Sequence, residues 1–208
     1  MKTTTKSLGF LQIIFAIVFA SQASAQSQME HHTAVAPSAA APSAAAQQSF
    51  SLLKTLAGTW QGSVKMPAAG GKEVVVPNLR VSMRVTSRGN ALVHEISDPA
   101  KPDDPTKYDH PLTMLYVDGG NLNLIHYSDA GNRPHMVART STDGKTVEFD
   151  FVDLTGPTTY GHMNHAVFTI IDANHHTEEW TYLLPGDKPM RASFDLQRVA
   201  DGTPASGK

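Results

Sequence analysis

The absence of cysteine excludes thiolate metal sites, Cys nucleophiles and thiol redox chemistry from this 208-residue chain, and ten histidines are its one compositional oddity. His162-Met-Asn-His165 has H-x-x-H spacing, which on a helix would put both rings on one face. Here it runs straight into the alternating pattern Ala166-Val-Phe-Thr-Ile-Ile171, and on a strand a spacing of three sends the rings to opposite faces. Of the two, His162 is expected inside, because it shares parity with Phe168 and Ile170. A protein metal site needs three or four ligands. His126, His162, His176 and Glu178 could supply them only from opposite ends of one hairpin, so no metal ligand is assigned. His126-Tyr127, His94-Glu95 and Glu178-Glu179 are adjacent acid–base groups, but neighbours on a strand face opposite ways. Neither G-x-S-x-G, H-E-x-x-H nor a phosphate-cradling glycine loop occurs in the sequence, and no catalytic residue is assigned.

The elements that must position these groups are strands. Period-two patterns run near 58–66, 79–88, 90–97, 111–118, 121–128, 134–140, 146–153, 162–171, 176–184 and 190–199. Turn residues cut them: Arg88-Gly-Asn90, Asp118-Gly-Gly-Asn121, Asp143-Gly-Lys145, Asp172-Ala-Asn174 and Pro185-Gly-Asp187. Parallel strands would need long crossovers, for which there is no room. About ten strands joined by tight turns form an antiparallel meander, and a meander of that length closes most simply as an up-and-down barrel without exposed edges. Before it, Phe50-Ser-Leu-Leu-Lys-Thr-Leu56 carries one apolar helical face, a short N-terminal helix. The fold class expected is all-β, an antiparallel up-and-down barrel behind that helix.

Which side chains share the interior follows from parity. Ala166, Phe168 and Ile170 form one set, Trp180, Tyr182 and Leu184 the next, with His162, Asn164, His176 and Glu178 on the same face. A three-residue loop Ala173-Asn174-His175 would pair Phe168 with Trp180 and Ala166 with Tyr182 and keep the apolar sets together. Leu115 and Val117 face Leu124 and Leu122 across Gly119-Gly120, which sets His126 opposite Thr113. An apolar interior with a few placed polar groups is the pattern of a small ligand cavity. The walls would be Trp60, Phe168, Trp180 and Tyr182, and the polar handles His126, His162 and Glu178. The long connections Ser97–His110 and Leu154–Gly161 are polar and are candidates for the rim of a mouth.

Residues 1–25 read as a secretory signal peptide: Lys2 and Lys6, an apolar run over 9–20, then Ala23-Ser-Ala25. The run is too short to span a bilayer, so no membrane insertion is expected after cleavage, and the destination is the periplasm or the exterior. Residues 26–48 form an Ala/Pro/Ser linker expected to be disordered, 49–199 the barrel domain, and 200–208 a polar, disordered tail. Two of the 17 basic residues lie in the signal, which leaves 15 against 19 acidic and a mature charge of −4. With no Lys/Arg cluster, nucleic acid is not an expected partner.

The segment Leu56-Ala-Gly58-Thr-Trp60-Gln-Gly62, a helix running into G-x-W, resembles the opening of calycin-type barrels: lipocalins, fatty-acid-binding proteins and nitrobindins. The resemblance implies that Trp60 plugs the closed end while Gly58 and Gly62 let the first strand bend. The stretch 50–199 also resembles a group of uncharacterised bacterial secreted lipocalin-like proteins, through Asp118-Gly, His126-Tyr, Gly131-Asn132, Phe149-Asp-Phe-Val-Asp153, Gly161-His-Met-Asn-His-Ala-Val-Phe168 and His175-His-Thr-Glu-Glu-Trp180. Nitrobindins bind haem and carry G-x-W-x-G-x-G; here Gly62-Ser-Val64 lacks the last glycine, so no haem ligand and no cofactor are carried over. The expectation is a binding barrel for a small, partly apolar molecule. Haem or transition-metal binding through interior histidines, or an enzyme in the same cavity, are the alternatives.

Overall fold

The computed structural model describes residues 43–68, 71–139 and 143–200; the segment read as a signal peptide, the one read as a linker up to residue 42 and the tail from 201 lie outside them. The chain begins with helix α1 (Ala44–Lys54) and continues as ten strands: β1 (Gly58–Pro67), β2 (Glu73–Thr86), β3 (Ala91–Ser97), β4 (Leu112–Asp118), β5 (Asn121–Tyr127), β6 (Arg133–Ala138), β7 (Thr146–Thr155), β8 (His162–Asp172), β9 (His175–Leu184) and β10 (Lys188–Arg198). Each strand pairs antiparallel with its successor, and β1 with β10, so the sheet is a closed barrel of the expected class.

The helix starts inside the segment assigned to the linker. Pro42 is the last residue that opposes a helix; Ser43 directly after it caps α1, its side chain accepting a hydrogen bond from the Ala46 amide at 3.1 Å. Ala46, Phe50 and Leu53 then share the buried face and, with Leu56, close one end of the barrel. Trp60 completes that plug. It is fully buried, its indole N–H donates to the Leu56 carbonyl at 2.7 Å, and the Arg198 guanidinium stacks on its ring at 4.1 Å. Arg198 also donates to the carbonyls of Ala57, Thr55 and Ala173, tying the last strand to the helix exit. Gly62 is required because a Cβ there would run into the Asp195 carbonyl of the neighbouring strand.

Several irregularities were not foreseen. Strand β2 begins at Glu73 rather than near 79, and a bulge at Pro77-Asn78, with Asn78 at φ 60°, carries it past Pro77. In the β8–β9 hairpin the turn is two residues, closed by Asp172 opposite His175, and Ile171 bulges out. Phe168 therefore pairs with Glu178, Ala166 with Trp180 and Ile170 with His176, which corrects the expected register. The bulge does the work assigned to a three-residue loop: it restores the parity that keeps the apolar sets on one face. A second bulge at Asn164 puts Met163 opposite Tyr182 and His162 opposite Leu183.

The helix, the turns at 87–90 and 119–120 and the Ala173-Asn174 turn lie at the closed end. The connections 98–111, 128–132, 156–161 and 185–187 gather at the other end, the mouth. Asn132 is buried there and donates from Nδ2 to the carbonyls of Pro157 and Gly161 at 2.8 and 2.7 Å, which staples two of these loops together.

Candidate functional site

Parity puts His176, Glu178 and Trp180 of β9 into the lumen beside Phe168 of β8, and Leu92, His94 and Ile96 of β3 opposite them. The barrel thereby brings together two residues 84 apart in sequence. Nε2 of His94 lies 3.1 and 3.0 Å from the two carboxylate oxygens of Glu178, and Nε2 of His176 lies 3.0 Å from Oε1. The Trp180 indole N–H donates to Oε2 at 2.9 Å. His94, His176 and Glu178 are wholly shielded from solvent.

Burial pushes the Glu178 pKa up, but the charge on His94 and the hydrogen bonds from His176 and His94 outweigh it and hold the carboxyl well below the usual range. An ionised carboxylate only accepts, so both imidazoles present Nε2–H to it. Their other nitrogens, Nδ1 of His94 and of His176, are sealed in the interior without a partner among the described residues.

Nearer the mouth, His126 pairs with Thr113, Nδ1 to Oγ1 at 2.9 Å. Its ring packs 5.6 Å from Trp180, which lies 5.5 Å from Phe168 and 5.7 Å from His94. Burial, reinforced by the charge on His94, pushes the His126 pKa down to about 4, so the ring is neutral near pH 7.

The sequence-chosen residues therefore divide. Phe168, Glu178, Trp180 and His126 meet in one lumenal cluster, and Trp60 reaches it from the closed end, 4.2 Å edge-on from His176. Tyr182 sits partly buried at the mouth, its hydroxyl donating to the Tyr160 carbonyl at 3.0 Å. The Asn164 bulge breaks the alternation on which an interior His162 depended. Its ring stacks at 4.6 Å on Phe151 and its Nδ1 lies 3.0 Å from the Met163 carbonyl. His165 faces Asp150 and Glu148 across β7, at 3.1 and 3.5 Å; these three could hold a cation, but Arg139 already pairs with both carboxylates.

His94 is the member that sequence reasoning missed. The signal was present: it lies two residues after Leu92 on the inward parity of β3, opposite Thr113, the residue paired with His126.

Two clefts flank the mouth. One, of about 380 Å³, lies between 105–110 and 127–129. The other, of about 420 Å³, lies under the 98–103 loop on the outer wall and includes Arg80, Glu95 and His110. In the first, the Asp129 amide donates to Asp109 Oδ1 at 3.1 Å, and burial together with the neighbouring Asp129 raises the Asp109 pKa.

A closed ten-stranded antiparallel barrel plugged by a helix and carrying a polar cluster in its lumen is consistent with a calycin-type fold. No protein-family model and no curated protein sequence matches the chain. Among solved structures it is similar to Rv2717c from M. tuberculosis, at 15% identity and a TM-score of 0.53 over 76% of this chain and 99% of that one. It also aligns with a protein of unknown function from the DUF3598 family of Nostoc punctiforme, at 8% identity and a TM-score of 0.47, covering 71% of this chain and 49% of that one. At these identities the likeness to Rv2717c shows the fold alone.

Proposed function

We propose that this chain is an exported binding barrel that takes a small, partly apolar molecule into the mouth side of its lumen, against Trp180 and Phe168, with His126 as the polar handle. The observation that carries this reading is the polar cluster enclosed by apolar walls in the lumen: His94, His176 and Glu178, with His126 and Thr113 beside them. A barrel filled only for stability has no use for an ionised carboxylate, three histidines and a threonine, because sealed polar atoms without partners cost stability. Such groups are retained where something else meets them. Native mass spectrometry of the protein purified from its own host tests the reading. A retained small molecule supports it, and a bare polypeptide mass with no bound species in any preparation overturns it.

A second reading has an observation of its own. Each of His94 and His176 gives one ring nitrogen to a carboxylate and leaves the other free, as metal-bound imidazoles do when a carboxylate orients them. The same spectra distinguish it, since haem or a transition metal would add its own characteristic mass.

A further inference from the structure

We infer that His126 presents an Nε2–H donor to the mouth of the barrel, and that the molecule it receives carries an uncharged oxygen acceptor, a ketone, ester or amide carbonyl, on an apolar frame. This rests on the binding-barrel reading and names the ligand's chemistry within it.

The argument is one of proton accounting at a buried pair. Thr113 is completely shielded, and its hydroxyl has a single partner among the described residues, Nδ1 of His126 at 2.9 Å. A hydroxyl carries one proton and must place it on an acceptor. If Nδ1 held the ring proton, the threonine proton would face a donor and have nowhere else to go. With the threonine donating to Nδ1, both atoms are satisfied and the ring proton sits on Nε2. Nε2 makes no hydrogen bond among the described residues, yet it is not among the sealed orphan nitrogens; the residue retains 4% exposure. It is therefore an unpaired donor that is not wholly sealed, and His126 stands one residue from the mouth end of β5.

The acceptor it suits is uncharged. A neutral imidazole offers no counter-charge, and burial keeps this ring neutral. Asp109 and Asp129 stand on the rim, so an anion entering there would pass like charge. The flat rings of Trp180 and Phe168 beside His126 favour an apolar body attached to the carbonyl. A donor at Nε2 has no lone pair for a metal, so His126 in this tautomer is not a ligand atom for haem iron.

Nitrogen-15 labelling of the histidines in the full mature chain reads the tautomer directly, with His126→Gln to assign the signal. The expected result at neutral pH is a neutral ring with its proton on Nε2, and a shift to mixed tautomers in Thr113→Val. A proton on Nδ1 in the unaltered protein overturns the inference. Three matched probes then test the ligand class: 2-acetylnaphthalene, 2-ethylnaphthalene and 2-naphthoate. The ketone should move the His126 Nε2 signal and bind about tenfold more tightly than the other two, the worth of one good hydrogen bond. Equal binding of the hydrocarbon, preference for the carboxylate, or no response to any probe overturns the carbonyl assignment. The two readings fail separately. A lumen occupied in native mass spectra with the proton on Nδ1 sinks this inference and leaves the barrel reading standing. A lumen always empty sinks the barrel reading wherever the proton lies.

Discussion

Removing the Glu178 carboxylate is the sharpest test of the lumenal network. In Glu178→Ala three donors lose their acceptor: Nε2–H of His94, Nε2–H of His176 and the Trp180 indole N–H. Each stranded buried donor costs about 1–3 kcal/mol. None of the three has another acceptor among the described residues. The net loss should be about 3–5 kcal/mol, comparable to breaking other buried charge pairs from one side. At about 2–4 °C per kcal/mol for a domain of this size, the melting temperature should fall by roughly 6–20 °C. Glu178→Gln should lie between. Its carbonyl can still accept from Trp180 and His94, and its amide can donate to Nε2 of a His176 that has changed tautomer, so about 1–2 kcal/mol is expected. The pH dependence has a fixed sign. A carboxyl held below its ordinary value of 4.5 stabilises the fold above that pH and loses this contribution as the pH falls. The gap between wild type and Glu178→Gln should therefore narrow below about pH 4.5, as read by urea denaturation. An alanine variant that melts like wild type, or a glutamine variant as damaged as alanine, would refute the hydrogen-bond accounting.

Trp60→Ala should cost about 3–5 kcal/mol in a thermal melt, because it empties the closed-end plug and strands the Leu56 carbonyl. The His126 ring resists protonation when folded, so between its ordinary pKa of 6.5 and the folded value of about 4 the unfolded chain binds more protons. Stability should fall by about 3 kcal/mol as pH drops through that window, and His126→Gln should abolish this slope in pH-dependent urea melts. Gly62→Ala should lower the melting temperature sharply, since the β1–β10 seam must part to admit a methyl group, whereas Gly89→Ala meets no atom within 4 Å and should lose only the smaller penalty of its positive φ. Intact mass of the exported protein should begin at Gln26, and retention of residues 1–25 would defeat the proposed export.

The barrel was legible because period-two patterning and turn residues repeat along the whole domain, and because Trp60 follows the helix at the one point where a plug is needed. The pairing of Thr113 with His126, and of Leu115 with Leu124, was readable from the tight Gly119-Gly120 turn, which leaves the register no freedom. Bulges were not legible. Asn164 and Ile171 differ in no evident way from regular strand residues, yet each reverses parity beyond it. Nor does parity say which residues meet across a lumen. That depends on the stagger accumulated around the barrel, so His94 and Glu178, each inward by alternation, could not be joined from sequence.

The seam between β1 and β10 gives this fold an unusual order of assembly. Every other strand pairs with its immediate successor and can form as a local hairpin, but Trp60 stands opposite Arg198, nearly the full length of the domain away. Long-range closure is the slow step in such topologies. Until the last strand leaves the ribosome, β1 is an open edge and the Trp60 indole lacks the guanidinium that covers it. On the export route proposed above, this makes the barrel one closed object only after its final strand has crossed.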